Sequence, residues 1–336
     1  MKISLDWLKQ YIKWDEDPSQ LIEIFNNIGL VVDDWKERDG DIILDMETYA
    51  NRPDTLGHIG VARELAAALR RQLTEENWPV SESGEKTEAV VDIQIHEETL
   101  CPRYCGLVIR DVPVGPSPEW LVRRIRSMGL NPVNNVVDVT NYILFSTAQP
   151  IHAFDLSRLE GEKIIVRRAN KGESLKTLDD KVETLSTDML VIADERKPVA
   201  LAGIVGGQES AVTEKTNDVF IESAYFSPVS IRKTAKELGI QTDASYRFER
   251  GADISVAPQA AQMAASILTQ MGGKGTRGVF DVYPKPRKKK TLILRKHRIT
   301  DLLGVDVPDS EIEDILRRLE FTVTREQTGL WKIQVP

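Results

Sequence analysis

Apolar positions recur in two distant stretches of this chain with the same spacing. Leu8, Tyr11 and Ile12 are matched by Ile299, Leu302 and Leu303. Leu21, Ile24, Phe25 and Ile28 are matched by Ile312, Ile315, Leu316 and Leu319, and Leu30 and Val32 by Phe321 and Val323. One constant offset, 291 positions, carries residues 8–32 onto residues 299–323. The i, i+3, i+4, i+7 spacing of Leu21, Ile24, Phe25 and Ile28 predicts a helix with one apolar stripe. Pro18-Ser19 and Pro308-Asp309-Ser310 supply the start signal in each copy, a proline for the first turn with a short polar capping residue nearby. Each copy therefore reads as short helix, capped helix and strand, a small winged-helix-like unit. The first copy runs on through a strand over 42–46 and the turn Asn51-Arg52-Pro53-Asp54 into a long helix. Leu56, Ile59, Ala62, Leu65, Ala66 and Leu69 line one side of that helix. The second copy ends at a strand over 331–335, so its apolar surface is expected to stay open and the chain is expected to be part of a longer parent.

Between the copies the periodicity changes. Residues 104–112 read as a strand, Ser117-Pro118 as the cap of a helix ending near Gly129, and 134–145 as a second helix. From 162 to 224 the chain alternates apolar and polar residues in short runs punctuated by Gly, Asp and Asn, which predicts a mostly antiparallel sheet or barrel. Ser227-Pro228 opens a further helix, and an alanine-rich one covers 256–271. The expected architecture is α+β: a central mixed or antiparallel-sheet domain over 85–283, flanked by small units over 1–84 and 284–336.

Length and composition narrow the function class. A chain of 336 residues exceeds one ordinary core, and 41% hydrophobic with 29% charged residues is globular. No apolar run is long enough to span a membrane, and MKISLDWLKQY has no secretory core. Cys101 and Cys105 make neither a disulfide framework nor a zinc site, so they read as packing residues in a reducing compartment, and no metal site is expected. A net charge of −8 argues against wholesale polyanion binding, DNA included. Basic residues nevertheless cluster at Lys285, Arg287, Lys288, Lys289, Lys290, Arg295, Lys296 and Arg298. That stretch is either a solvated, proline-stiffened linker or a track along a nucleic-acid backbone.

Generic catalytic signatures are missing: there is no P-loop, Rossmann fingerprint, nucleophile elbow or H-E-x-x-H. Gly203, Gly206 and Gly207 follow a strand without opening a helix, as a bulge or tight turn would. His58, His96 and His297 sit in structural contexts, whereas His152 lies on an irregular segment after a helix, where functional groups concentrate. Glu222 stands out in the run Val219-Phe220-Ile221-Glu222-Ser223-Ala224. A carboxylate among such neighbours is expensive unless satisfied, so it either meets a cation such as Arg247 or Arg250 or faces a polar pocket.

Four blocks carry a family resemblance: NRPDTLGHIGVARELAA (51–67), PVNNVVDVTNYILFSTAQPIHAFD (132–155), ALAGIVGGQESAV (200–212) and FIESAYFSPVSIRKTAKELGIQTDASYRFERGAD (220–253). In this order they resemble the bacterial-type phenylalanyl-tRNA synthetase β-subunit family across nearly the whole chain. The resemblance implies two related small domains around an editing domain that hydrolyses mischarged Tyr-tRNA(Phe). It implies an α-subunit partner that aminoacylates with ATP and magnesium, tRNA(Phe) as the nucleic-acid partner, an α2β2 assembly and a cytoplasmic location. This stretch itself would need no cofactor and would not aminoacylate alone. By the same resemblance His152, Thr140 and Asn141 would position the hydrolytic water. Glu222 would meet the tyrosine hydroxyl, with Ala202, Gly203 and Ile204 as a wall and Thr242 and Ala244 at the entrance. Two departures matter. Residues 35–42 bridge directly the point where the family inserts an oligonucleotide-binding-fold domain, and the family's C-terminal half is missing. A structural or tRNA-docking module with an inactive pocket is the alternative.

Overall fold

The computed structural model describes residues 1–74 and 76–336, and its two small units repeat one another element by element. The first is strand Lys2–Ser4, helix Leu5–Leu8, helix Pro18–Asn27, and strands Val32–Arg38 and Asp41–Met46. The second is strand Thr291–Arg295, helices Lys296–Leu303 and Asp309–Arg318, and strands Thr322–Gln327 and Leu330–Gln334. In both, the first strand pairs with the third and the third with the second. Moving Pro18–Asn27 by 291 positions lands on Asp309–Arg318 end to end.

The helix starts differ from expectation. Asp17, not Ser19, caps the first copy: its side chain accepts from the Gln20 amide at 2.9 Å while Gln20 returns the bond to the Asp17 amide. In the second copy Pro308 itself holds the cap position, and no side chain bonds the free amides. Ser117 likewise leaves the helix Glu119–Ser127 uncapped, because its hydroxyl turns to Asp138.

Identical apolar patterns meet partly different fates. Leu21 and its counterpart Ile312 are both buried, but Tyr11 and Ile12 are buried while their counterparts Leu302 and Leu303 are 76% and 61% exposed. The difference is where the helix His58–Leu69 puts its apolar face. Val61, Ala62, Leu65 and Ala66 share a core with the first copy, whereas the helix meets Asp309–Arg318 of the second at its margin, beside the Arg63–Glu320 ion pair.

The central region stacks two mixed sheets. One runs in the order Glu82–Lys86, Lys274–Arg277, Arg103–Arg110, Val219–Tyr225, Ile151–Asp155, with Phe280–Val282 also on Arg103–Arg110. The other runs Val205–Gly206, Pro198–Leu201, Leu190–Ala193, Lys163–Arg168, Asp92–Ile95. Two pairings are parallel, Glu82–Lys86 with Lys274–Arg277 and Asp92–Ile95 with Lys163–Arg168; the other pairings in these two sheets are antiparallel. Alternation divides the strands Arg103–Arg110, Val219–Tyr225 and Ile151–Asp155 between two cores. Leu107, Ile109, Val219, Ile221 and Ala153 face helices Asn135–Thr147 and Ala257–Gln270 and share a core with the N-terminal unit. Tyr104, Val108, Phe154, Phe220 and Ala224 face the second sheet. The apolar interior thus runs from the N-terminal unit into the central sheet without a break.

A stack of three rings ties that junction. Trp7 lies 4.1 Å from the His58 ring and 4.9 Å from the Tyr142 ring, centroid to centroid. The Ser4 amide donates to His58 Nε2 at 3.1 Å, and Nδ1 lies 2.8 Å from the Phe145 carbonyl oxygen. Nδ1 therefore carries the proton and the ring is neutral. Complete burial pushes His58 down to about 3. A histidine held neutral in the fold but free to charge on unfolding contributes stability above about pH 6.5 that is lost as pH falls toward 3. Urea midpoints measured from pH 7 to pH 4 should fall steeply in the native chain and less steeply in His58→Gln. An unchanged slope would place the acid sensitivity elsewhere.

Candidate active site

Strand parity assembles this site. Glu222 has the same parity as Phe220 and Ala224, so its side chain enters the space between the two sheets instead of the helical face. On the neighbouring strand His152 is its direct cross-strand partner, and on the other side Glu222 pairs with Gly106. Tyr104, opposite Ala224, is one diagonal step away on the same face. Its hydroxyl donates to Glu222 Oε2 at 2.6 Å. Glu222, His152, Gly203, Ile204, Gly206, Ala244 and Phe248 are among the residues lining a cavity of about 60 Å³.

The two titratable groups of the cavity are shifted toward each other by the same cause. Burial pushes the Glu222 carboxyl up to about 7, opposed by the Tyr104 hydrogen bond, which stabilises the ionised form. Burial pushes His152 down to about 4, so at neutral pH its imidazole is uncharged. His152 Nε2 is buried with no hydrogen-bond partner among the described residues. The site thus offers a carboxylate acceptor with one oxygen committed to Tyr104 and a neutral ring with one free nitrogen. Arg247 and Arg250 do not pair with Glu222. Arg247 bonds the Leu56 carbonyl and Asp243, and Arg250 bonds the Tyr246 carbonyl and Glu249. Both arginines belong to the Thr242–Gly251 segment; Arg250 serves its own turn, and Arg247 also ties the segment to the N-terminal unit at Leu56.

Glycine shapes the wall at two positions. Gly203 has φ +68°, and a Cβ there would lie 2.8 Å from both Phe226 and Phe248. A Cβ on Gly206 would come within 2.5 Å of His152 Cε1, so the bare backbone at 206 is what lets the imidazole lie against it. Ala202 is buried but stands behind the lining. Thr242 caps the helix Asp243–Phe248 through the Ser245 amide at 3.1 Å and donates to the Ile204 carbonyl at 2.9 Å. That hydroxyl joins the 202–204 wall to the helix carrying Ala244 and Phe248.

Thr140 and Asn141 do not line this cavity. They sit on the half-exposed side of the helix Asn135–Thr147, where the Thr140 hydroxyl donates to the Val137 carbonyl at 2.7 Å. Tyr104 and Gly206 are the residues beside Glu222 and His152 that the sequence did not single out for this site. Tyr104 looks like a core aromatic in an apolar strand, and only the pairing register puts its hydroxyl beside Glu222. A larger cavity of about 500 Å³ lies between the N-terminal unit and the helix Ala257–Gln270, lined by Tyr11, Glu76, Trp78 and Met263 among others. Size favours it, but the small cavity holds the buried carboxylate and imidazole with displaced proton affinities, which is the chemistry an active site needs. Among the described residues no group of three or more His, Cys, Asp or Glu could hold a metal ion.

Residues 100–273 match the family described as the B3/4 domain. The chain belongs to the B3/4 domain family. Tyr104, His152, the 202–206 wall, Glu222 and Ala244 all fall inside that B3/4 match. Residues 292–336 match a second family, the tRNA synthetase B5 domain. The chain is 43% identical over 323 residues to the phenylalanine–tRNA ligase β subunit of Geobacter sulfurreducens, covering 95% of this chain and 39% of the relative. It is 38% identical over 331 residues to that of Rhodopirellula baltica, covering 98% and 49%. It thus spans less than half the length of these relatives. A crystal structure of an N-terminal fragment of the phenylalanyl-tRNA synthetase β subunit from Pyrococcus horikoshii aligns with a TM-score of 0.52 at 16% identity, over 100% of this chain and 93% of that one. At that identity the likeness speaks for the α+β fold alone.

Two outcomes follow from the packing. Glu222→Gln should stabilise the chain by up to about 3 kcal/mol above pH 7, because a carboxyl raised from its usual value disfavours the ionised folded state. The gain should vanish below about pH 4.5, where both forms are protonated, and urea titration at pH 8 and pH 4.5 checks it. Gly206→Ala should lower stability by about 1–3 kcal/mol by driving a methyl into the His152 ring. A neutral result in denaturant unfolding would show that the ring is free to move.

Proposed function

We propose that this chain is an editing module of a phenylalanine–tRNA ligase β subunit, hydrolysing the ester of mischarged Tyr-tRNA(Phe). One observation carries the proposal: a buried carboxylate, Glu222, facing a small cavity directly across from a neutral His152. Tyrosine is phenylalanine with one added hydroxyl, and an apolar synthetic pocket rejects such an addition by only about 10²-fold. A second pocket with a buried acceptor reverses the preference. Tyrosine gives Glu222 a donor, whereas phenylalanine would seal the carboxylate away from water with its second oxygen unpaired, a penalty worth up to about 10⁴-fold.

The cavity as it stands has room for a handful of water molecules. Seating an aromatic ring requires the wall to yield, and the Thr242–Ile204 bond makes the helix with Ala244 and Phe248 and the 202–204 strand end move as one. The hydrolytic water oxygen attacks the ester carbonyl carbon, the bond to the ribose oxygen breaks, and the proton ends on that oxygen. The unpartnered His152 Nε2 is the group that orients the water; of the three residues the family resemblance points to, it alone reaches the cavity. Thr140 and Asn141 remain candidates on the approach. Positioning beside an already activated ester supplies the rate.

The wider assignment is part of the same proposal. The chain works with a synthetase α subunit that uses ATP and magnesium, engages tRNA(Phe), and acts in the cytoplasm. Its first small unit covers 1–84, the editing domain 85–283 and the second unit 284–336. Release of tyrosine from Tyr-tRNA(Phe) by the native chain should exceed release of phenylalanine from Phe-tRNA(Phe). Glu222→Ala should reduce that selectivity at least about tenfold while the fold persists. Selective hydrolysis undiminished in the variant would remove Glu222 from recognition. No hydrolysis by the folded native chain would favour a docking module that needs its partner subunit.

A further inference from the structure

Tyr104 is fully buried, makes one side-chain hydrogen bond, and spends it on Glu222 Oε2 at 2.6 Å. A purely apolar role in the core would be filled by phenylalanine, which leaves no hydroxyl to satisfy. We propose that Tyr104 sets the specificity of the pocket by clamping one oxygen of Glu222, so that the other stays ionised and acceptor-only toward the substrate hydroxyl. This rests on the editing reading of the same site.

The argument is one of proton placement. A neutral carboxyl can donate as well as accept and is cheap to desolvate, so a protonated Glu222 would tolerate phenylalanine and lose its discrimination. An ionised carboxylate accepts only and penalises any ring without a donor. The environment pushes toward the protonated form, since Glu222 is almost wholly enclosed. Among the described residues no cation pairs with the carboxylate. From the 103–110 strand come Tyr104 and Cys105, the latter turned to Asp281. From the 151–155 strand comes the neutral His152, and Cys101 nearby is held as the thiol by burial and by the Glu222 charge. The 200–206 wall brings Ala200, Leu201, Ile204 and Val205, and the Ala244–Phe248 stretch brings Ala244 and Phe248, its charged Arg247 being bound to the Leu56 carbonyl and Asp243 instead. Among the described residues the Tyr104 hydroxyl is therefore the donor that holds the negative charge in place. It also restrains the carboxylate rotamer and leaves Oε1 without a protein donor among the described residues. Tyr104 is a positioning residue and needs no contact with substrate.

The test is a pH profile of Tyr-tRNA(Phe) and Phe-tRNA(Phe) deacylation, from pH 5.5 to 9, by the native chain, Tyr104→Phe and Glu222→Gln. The native chain should gain selectivity for tyrosine as pH rises through about 7. In Tyr104→Phe the rise should move upward by at least about one pH unit, with about tenfold lower selectivity at pH 7 that recovers by pH 9. Glu222→Gln should lose the rise altogether. Incorporation of 3,5-difluorotyrosine at position 104, a stronger donor of nearly the same shape, should move the rise downward. A Tyr104→Phe profile superimposed on the native one, or lowered equally at every pH, would overturn the clamp. If the native chain shows no selective release, the editing reading fails instead. The clamp is then judged by NMR titration of the Glu222 carboxyl carbon, which should shift upward in the variant and downward with the fluorinated residue.

Discussion

The carboxylate of Glu222, held between two sheets with a single hydroxyl as its partner, is the constraint around which the central domain is arranged. It lies midway along a strand buried on both faces, where nearly every other position is apolar or small. Its environment opposes its charge strongly enough to lift its proton affinity into the neutral range. Proteins retain such groups where stability has been traded for function. The surrounding features follow from it. Strand parity turns Glu222 away from the helical core, and the cross-strand register sets His152 opposite. Bare glycine backbone at 206 leaves space for the imidazole, and Thr242 fastens the far wall.

That arrangement explains why the pocket needs so rigid a support. An acceptor discriminates by the unmet bond it leaves with the wrong ligand, and that penalty survives only if water cannot reach the carboxylate. The two packed sheets enclose the carboxylate on all but its cavity side, so a ring seated there would displace the water the cavity holds. The N-terminal unit contributes from behind, through the His58–Trp7–Tyr142 stack and the apolar interior it shares with the helices on the opposite face of the first sheet. The second small unit, with the same elements in the same sheet order, has its own small core and meets the helix His58–Leu69 through contacts such as the Arg63–Glu320 ion pair.

Much of this was legible in the sequence. The repeat offset, the helix with Leu21 and Phe25, and the anomalous position of Glu222 all follow from periodicity, because local spacing determines which face a residue takes. What escaped depends on partners distant in sequence. Tyr104 acts on Glu222 through a pairing between residues more than a hundred positions apart, and nothing in its own strand marks it. Arg247 and Arg250 carried the right charge for Glu222 but are bound by their own helix and its neighbours. Thr140 and Asn141 lie close to His152 in sequence, yet helix geometry turns them from the cavity. The exposure of Leu302 and Leu303 against the burial of Tyr11 and Ile12 is set by a third helix that the repeat pattern does not contain.

Calorimetric binding of two stable analogues, tyrosine and phenylalanine each joined by an amide to 3′-amino-3′-deoxyadenosine, tests the central claim without requiring turnover. A buried ionised acceptor predicts tighter binding of the tyrosyl analogue, with a gap that widens as pH rises from 6 to 8.5 and collapses in Glu222→Gln. Equal affinities, or a gap that does not change with pH, would contradict it.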